Sequence, residues 1–356
     1  MSSASYKFPR FDELPRIEGQ PQGCLWGFFD RVGEKDQLGN VVVEASKEIK
    51  TGAHVQLDWS LNEPQFPGFG RPEMKHHVKE MSHKGFIGLD DEIHINTQTS
   101  SQWDSLKHFS IQEHKLFYNG MTLQEALDTP RNGLHRAIPI DVCARGGIVG
   151  RGILVDWLRW WEHQNPGKDA PSATNDHIIT VSEIQKVLQY QSTTCRQGDI
   201  LIVRTGYVRW HNSPLYRVVP VIRLYLHFVD GILNKWESLM TWYSRGASTQ
   251  TRSEASQQPN TVGVANNMET VKWLYEQHFA AVAADNPAFE ATPIPDNCRL
   301  HEWLLCQWGT HIGELWDLES LSQTCGDLGR WSFFFTSAPL NVTGGVASPP
   351  CAIATF

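Results

Sequence analysis

The sequence predicts an α/β fold, because runs with the character of buried strands alternate with helical periods along the chain. The stretch GGIVGRGILVDW (residues 146–157) holds a glycine-flanked buried-strand core from Gly152 to Asp156. GDILIVRTGY (residues 198–207) is a turn followed by a continuous apolar run, the pattern of a strand covered on both faces. FAAVAADNPAFE (residues 279–290) reads as another buried strand, ending at Asp285. Strands separated by helices are the signature of an α/β architecture.

The remaining elements follow in order. A polar, Pro-rich N-terminal arm runs to about residue 23. Glu44 to Lys50 is expected to be helical and to stop at Gly52, and His54 to Trp59 alternates into a strand. Residues 62–72 (NEPQFPGFGRP) are loop by their Pro and Gly content, and residues 92–104 read as extended. Thr180 followed by Glu183 forms a capping box ahead of a helix carrying Ile184, Val187 and Leu188. Val271, Leu274, Tyr275 and His278 share one face of a later helix. Residues 212–260 do not fit this order: they open apolar, end in a polar low-complexity tail, and are read as an insertion that carries no chemistry. The expected organisation is thus an arm (1–23) and one domain (24–356) with that insertion.

Composition narrows the function. With 356 residues, 40% of them hydrophobic, the chain has ample material for a large core. A net charge of −8, with no Lys/Arg-rich run, argues against a nucleic-acid partner. The N-terminus lacks the apolar core of a secretory signal, and the greasiest stretch (residues 218–236) carries Pro220, Arg223, His227 and Asp230, which speaks against a membrane span. Seven cysteines without CxxC spacing are expected to be buried free thiols, which points to a cytoplasmic location.

Two segments concentrate chemistry. In an extended strand Gln98, Ser100, Gln102 and Asp104 face the same way, with His108 four residues beyond. A polar outer strand face explains this pattern equally well. In residues 301–321 (HEWLLCQWGTHIGELWDLESL), His301, His311 and Glu314 lie among Trp and Leu. Histidines in such a run are commonly core residues. Glu314 is harder to explain that way, since an unpaired carboxylate is costly to bury and acquires a raised pKa suited to proton transfer. No GxGxxG, P-loop or HExxH motif is present, and the many tryptophans, among them Trp26, Trp59, Trp157, Trp160 and Trp161, read as core or pocket walls.

Residues 98–109 (QTSSQWDSLKHF) resemble the HxGTHxDxPxHF signature of the cyclase family, which includes kynurenine formamidases and isatin hydrolases. GDILIVRTGY resembles the family's strand motif, and residues 301–321 its C-terminal site segment. RGGIVGRGILVDW, AAVAADNPAFE and SAPLNVTGGVASPPCAIATF are similar to the larger fungal branch. The likeness spans nearly everything outside residues 212–260. It implies a swivelling β/β/α domain, a central mixed sheet or small barrel flanked by helices. It places the metal ligands at Gln98, Gln102, Asp104 and His301, a catalytic His at His108 and an acid/base Glu at Glu314.

The sequence departs from the family pattern where ligands are expected. Both signature histidines are glutamines here (Gln98 and Gln102), and an amide is a poorer zinc donor than imidazole. A divalent ion, Mn²⁺ or Zn²⁺ ahead of Mg²⁺, recruitment of His94 or His311, and an absence of metal all stay open. Residues 39–45 look shortened, residues 135–147 are irregular, and Cys351 replaces a common Asn. The resemblance implies a hydrolase of a carbonyl–nitrogen or lactone bond in a small aromatic substrate, arylformamidase-like and suggestive of N-formylkynurenine in tryptophan catabolism. The alternatives are a metal-independent cyclase, dehydratase or isomerase of fungal secondary metabolism, and a non-catalytic small-molecule binder. It also implies a homodimer or larger homo-oligomer, for which the N-terminal arm is a candidate exchange element.

Overall fold

A computed structural model of the chain describes residues 8–28, 38–129, 147–175, 177–212 and 260–356. The irregular segment 135–146 and most of the expected insertion (213–259) lie outside the described residues. In chain order, the first elements are helix α1 (Leu38–Ser46), strand β1 (His54–Gln56), the hairpin β2 (Lys75–Glu80) and β3 (Leu89–His94), and β4 (Gln102–Asp104). Next come β5 (Ile148–Asp156), α2 (Trp157–Gln164), α3 (Val181–Tyr190), β6 (Ile200–Arg204), α4 (Met268–Gln277) and β7 (Ala281–Ala284). Last are β8 (His311–Glu314), α5 (Glu319–Leu328), β9 (Ser332–Ser337), β10 (Ala347–Ser348) and β11 (Ala352–Thr355).

Nine strands form one mixed sheet in the order β1–β11–β9–β5–β6–β7–β8–β4–β10. Its centre, β5 to β8, is parallel, and antiparallel strands flank it on both sides. The central strands are apolar throughout because both faces are covered. Ile200, Ile202, Ala281 and Ala283 pack with Trp103, Trp316, Phe333 and Phe335 on one face. Leu201, Val203, Val282, Ala284 and Ile312 pack on the other against Ile184, Val187, Val271 and Leu274 of α3 and α4. The α/β expectation and the three buried strands are borne out. Among the expected Trp residues, Trp59 and Trp157 are buried, and Trp26, Trp160 and Trp161 pack half-buried against the core.

Capping sets the helix limits. The Thr180 hydroxyl accepts from the Glu183 amide, and the Glu183 carboxylate takes the Thr180 N–H at 3.0 Å, so the expected capping box is present. Glu183 also accepts from Trp157 Nε1 and contacts His177 Nε2, both at 3.2 Å, which ties α3 to α2. Against the cost of burial, these partners hold its carboxyl down to about 2. A folded-state pKa below the unfolded value gives stability that is present above about 4.5 and lost as pH falls towards 2. Glu183→Gln is therefore expected to cost roughly 1–2 kcal/mol at neutral pH, and less as the pH falls through that window. Urea titrations at pH 7 and pH 3 check it, and an equal loss at both would refute the account.

Three expectations are corrected. The helix in this region spans Leu38–Ser46 rather than Glu44 to Lys50. The chain beyond it is held elsewhere, because the Thr51 and Gly52 amides both donate to the Phe356 carbonyl, at 2.8 and 2.7 Å. Residues 92–104 are not one extended run, since β3 ends at His94 and β4 begins at Gln102. Between them Asn96 makes a turn, its side chain accepting from the Gln98 amide at 3.0 Å and its carbonyl from the Thr99 amide at 2.9 Å. His278 is not on the α4 face with Val271, Leu274 and Tyr275; it is the left-handed cap that ends the helix (φ 54°).

The N-terminal arm packs on its own chain. Phe11 and Leu14 are buried in the core, and the Tyr275 hydroxyl donates to the Pro9 carbonyl at 2.9 Å. Among the described residues the β2–β3 hairpin, by contrast, pairs only with itself, and every residue of its strands is exposed, Val78, Leu89 and Ile93 included. Among the described residues six cysteines are free and four of them are buried, with Cys351 exposed. No described helix is long and apolar enough to cross a membrane.

The C-terminal ends of the parallel strands are joined by buried charge. Arg204, at the end of β6, donates to Asp156 Oδ1 at the end of β5 and makes a paired contact with both Glu319 oxygens, each at 2.8 Å. Asp285, just after β7, receives the Thr205 and Gly206 amides at 2.6 and 2.8 Å.

Candidate active site

The site begins with the seam between β4 and β8. These strands are antiparallel, with Gln102 opposite Glu314 and Asp104 opposite Ile312. Strand alternation therefore puts Gln102, Asp104 and Glu314 on one face. The opposite face is set by Gly313 beside Trp103. A Cβ on Gly313 would come within 2.7 Å of both Ala283 Cβ and Trp316 Cζ2, so only glycine lets the indole lie this close. Trp316 Nε1 also donates to the Gln102 carbonyl at 3.1 Å.

Three loops complete the cluster. Gln98 follows the Asn96 turn, and Arg71 Nη1 holds its carbonyl at 2.6 Å. His108 follows a turn closed by its own amide on the Ser105 carbonyl at 3.0 Å. His301 stands at the start of the π-helical segment Glu302–Trp308, the kind of irregular turn often found at functional sites. All six expected residues thus meet, although the connections run through turns and strand pairing instead of one strand face.

Gln98 Nε2 donates to Asp104 Oδ1 at 2.8 Å and also contacts His108 Nδ1. Gln102 Nε2 donates to Glu314 Oε2 at 2.6 Å. His301 Nε2 lies 3.1 Å from Glu314 Oε1 and 4.0 Å from Asp104 Oδ2, which is in turn 3.7 Å from His108 Nε2. On its far side His301 Nδ1 meets Glu290 Oε2 at 2.7 Å, and its backbone amide donates to Glu290 Oε1 at 3.2 Å. His311 points its Nδ1 at the Asp104 carbonyl, 2.9 Å away, and His94 sits exposed on β3.

Sequence reasoning missed Glu290. It is fully buried, and the signal was available: a carboxylate in the apolar run NPAFE poses the same burial problem as Glu314.

The electrostatics follow from burial. Desolvation pushes the Glu314 carboxyl up to about 7, the Asp104 charge adding to it and His301 opposing. Burial disfavours the His301 imidazolium, but Glu290 and then Glu314 outweigh it and raise its pKa well above the usual value. Burial lowers that of His108, against the pull of Asp104.

Among the described residues three buried oxygens of this cluster, Asp104 Oδ2, Gln102 Oε1 and Glu314 Oε1, have no hydrogen-bond partner, Glu314 Oε1 lying 3.1 Å from His301 Nε2. Donor atoms of Asp104, His108 and His301 all fall within 4.8 Å of one another. Unpaired buried oxygens beside ring nitrogens are what a divalent cation satisfies, so this His/Asp set fits a metal ion.

The family model described as "Putative cyclase" matches residues 44–291, more than half of the sequence. The chain belongs to this cyclase family. A crystal structure described as a novel cyclase superposes with a TM-score of 0.70 at 26% identity, over 94% of this chain and 99% of that one. Isatin hydrolase A from Labrenzia aggregata, bound to benzyl benzoate, gives 0.51 at 14% identity, over 90% of this chain and 98% of that one. An isatin hydrolase bound to the product analogue thioisatinate gives 0.51 at 12%, over 89% and 95%. The isatin hydrolase likenesses show the shared fold alone. No curated protein matches the chain. The mixed sheet flanked by helices is thus the cyclase fold, as the sequence motifs implied.

Proposed function

We propose that this cyclase-family chain is a metal-dependent hydrolase acting on a carbonyl–nitrogen or lactone bond of a small aromatic substrate. The observation that carries this reading is the buried, unpartnered Asp104 Oδ2 between the His108 and His301 rings. Asp104 and His301 would hold the ion, and Gln102 Oε1 would add a neutral oxygen. An oxygen-rich set favours Mn²⁺ as much as Zn²⁺. A divalent ion there supplies Lewis acidity, polarising a carbonyl and making water more acidic.

The chain's own residues supply the proton traffic. Glu314, a buried carboxyl that burial pushes above the usual carboxylate range, is placed to take up or release a proton. His108, on the other side of Asp104, protonates the leaving nitrogen or oxygen. The likeness of residues 98–109 to the kynurenine formamidase and isatin hydrolase signature is what supports an aryl formamide or a cyclic amide, with N-formylkynurenine the candidate from tryptophan catabolism.

The test is metal quantification on the purified protein with an aryl formamide, lactam and lactone panel, before and after chelation. Stoichiometric metal and chelator-sensitive turnover are expected. Turnover without metal would favour the second reading, a metal-independent acid/base cyclase or dehydratase. Its support is that the Gln98 and Gln102 amides already donate to Asp104 and Glu314.

We further expect self-association. An isolated two-stranded ribbon with exposed Val78, Leu89 and Ile93 is marginal alone in water. Sedimentation should find a dimer or larger homo-oligomer, and Val78→Glu should weaken it. A monomeric wild type would exclude the idea.

A further inference from the structure

His108 and His301 flank the same carboxylate, yet their outer neighbours are chemically opposite. Gln98 sits against His108, and Glu290 sits against His301. The orientation of the Gln98 amide is decided by Asp104, because a carboxylate can only accept and so must face Nε2, not Oε1. The two hydrogens on Nε2 then go to Asp104 Oδ1 and His108 Nδ1. His108 Nδ1 is therefore an acceptor, and its neutral ring carries the proton on Nε2. Glu290 can likewise only accept, so His301 Nδ1 carries a proton and its Nε2 is the atom left to face Asp104 and Glu314.

We propose that Gln98 and Glu290 are positioning residues that fix opposite tautomers on the two histidines, leaving His301 Nε2 as a metal ligand and His108 Nε2–H as a proton donor. This inference rests on the metal-hydrolase reading and gives Gln98 a part other than the ligand role that the resemblance implied. The amide at a position where the family pattern has a ligand histidine turns its nitrogen to the cluster and acts on the adjacent imidazole. Although the ligand-capable atoms of Asp104, His108 and His301 lie close together, proximity does not decide which ring offers a lone pair. The hydrogen-bonded neighbour of each ring does.

Glu290 is matched to its task by acceptor count. His301 presents two donors, its backbone N–H and Nδ1–H, and the carboxylate answers both with separate oxygens. A glutamine has one acceptor and one donor. Glu290→Gln must therefore lose one contact or force His301 into the other tautomer, with Nε2 protonated. Outer partners of ligand histidines are typically worth 10–100-fold in metal affinity. Gln98→Glu does the converse to His108. It places an acceptor against Nδ1, draws the proton there and removes it from Nε2.

The test reads the two arms separately. Glu290→Gln is expected to weaken Mn²⁺ and Zn²⁺ binding roughly 10–100-fold in competition titrations with a chelating dye. Glu290→Asp, still acceptor-only, should recover part of that loss. Gln98→Glu is expected to lower kcat at saturating metal while binding Mn²⁺ at least as tightly as wild type. Packing roles alone would make the isosteric Gln variant milder than the shortened Asp one, and would move metal affinity and kcat together. Either outcome overturns the proposal.

Should the variants fail to fold, ¹⁵N imidazole shifts of the wild-type protein decide. His108 should be protonated at Nε2 with Nδ1 bare, and His301 should be protonated at Nδ1. A protonated His108 Nδ1 or a bare His301 Nδ1 refutes the assignment. If the wild type binds no divalent ion the hydrolase reading fails, and these shifts still decide the His108 tautomer and whether His301 Nδ1 holds its proton.

Discussion

Replacing Asp104 with alanine is expected to abolish stoichiometric metal binding and to lower turnover by roughly a thousandfold or more, the loss of several kcal/mol of charge stabilisation. Asp104 is fully buried, Oδ1 receives Gln98, and Oδ2 is unpartnered between two imidazoles. Its removal takes away the carboxylate on which the proposed ligand set converges. His108→Ala is expected to be comparably inactive while retaining metal, since that side chain moves protons in the proposed chemistry. Metal analysis and steady-state kinetics on both variants check the pair. Asp104→Ala protein that holds a full complement of metal and turns over normally would refute the assignment. The fold should survive, because β4 is held by Trp103, packed 4.8 Å from Trp316, and not by the Asp104 side chain.

Arg204→Met is expected to cost about 3–5 kcal/mol, the size of loss seen when one partner of a buried ion pair is removed. Against a total stability of roughly 5–15 kcal/mol, such a variant would be marginal at body temperature. The guanidinium is 4% exposed and faces Asp156, which has no exposed surface. Asp156 also caps α2 by accepting the Arg159 amide at 3.1 Å and receives the Ser322 hydroxyl of α5. Removing Arg204 leaves that carboxylate with only the partly exposed Arg159, 3.4 Å from Oδ2, as a cation partner, and loosens the ends of β5 and β6 together. Urea unfolding of wild type and Arg204→Met measures the difference. A loss under about 1 kcal/mol, the range of an exposed pair, would show the network to be screened. Arg204→Met/Asp156→Asn, which also removes the buried Asp156 charge, should recover part of the loss.

Much of this was legible from local pattern. GDILIVRTGY forms β6 because a continuous apolar run is stable only where both faces are covered, and Thr180 with Glu183 starts α3 because a capping box is a contact within one turn. Gln98, Gln102, Asp104, His108, His301 and Glu314 were named from two segments, and the structure gathers them. The single strand face proposed for residues 98–104 fails for a local reason, since Asn96 competes for the backbone and makes a turn. The helix placed at Glu44 to Lys50 fails for a distant one: Thr51 and Gly52 are tied to the carbonyl of the last residue.

What the sequence determined by itself was the family, the layered α/β plan and the residues of the candidate site, because strand burial, helix caps and short motifs depend on near neighbours. What only the tertiary structure decided was the division of labour inside the site. Gln102 meets Glu314 across 212 residues through the β4–β8 register, and Glu290 reaches His301 from the loop after β7. Those pairings determine which oxygens stay unpaired and which ring nitrogen carries a proton. Such properties belong to the partners of a side chain, and partners are chosen by the fold.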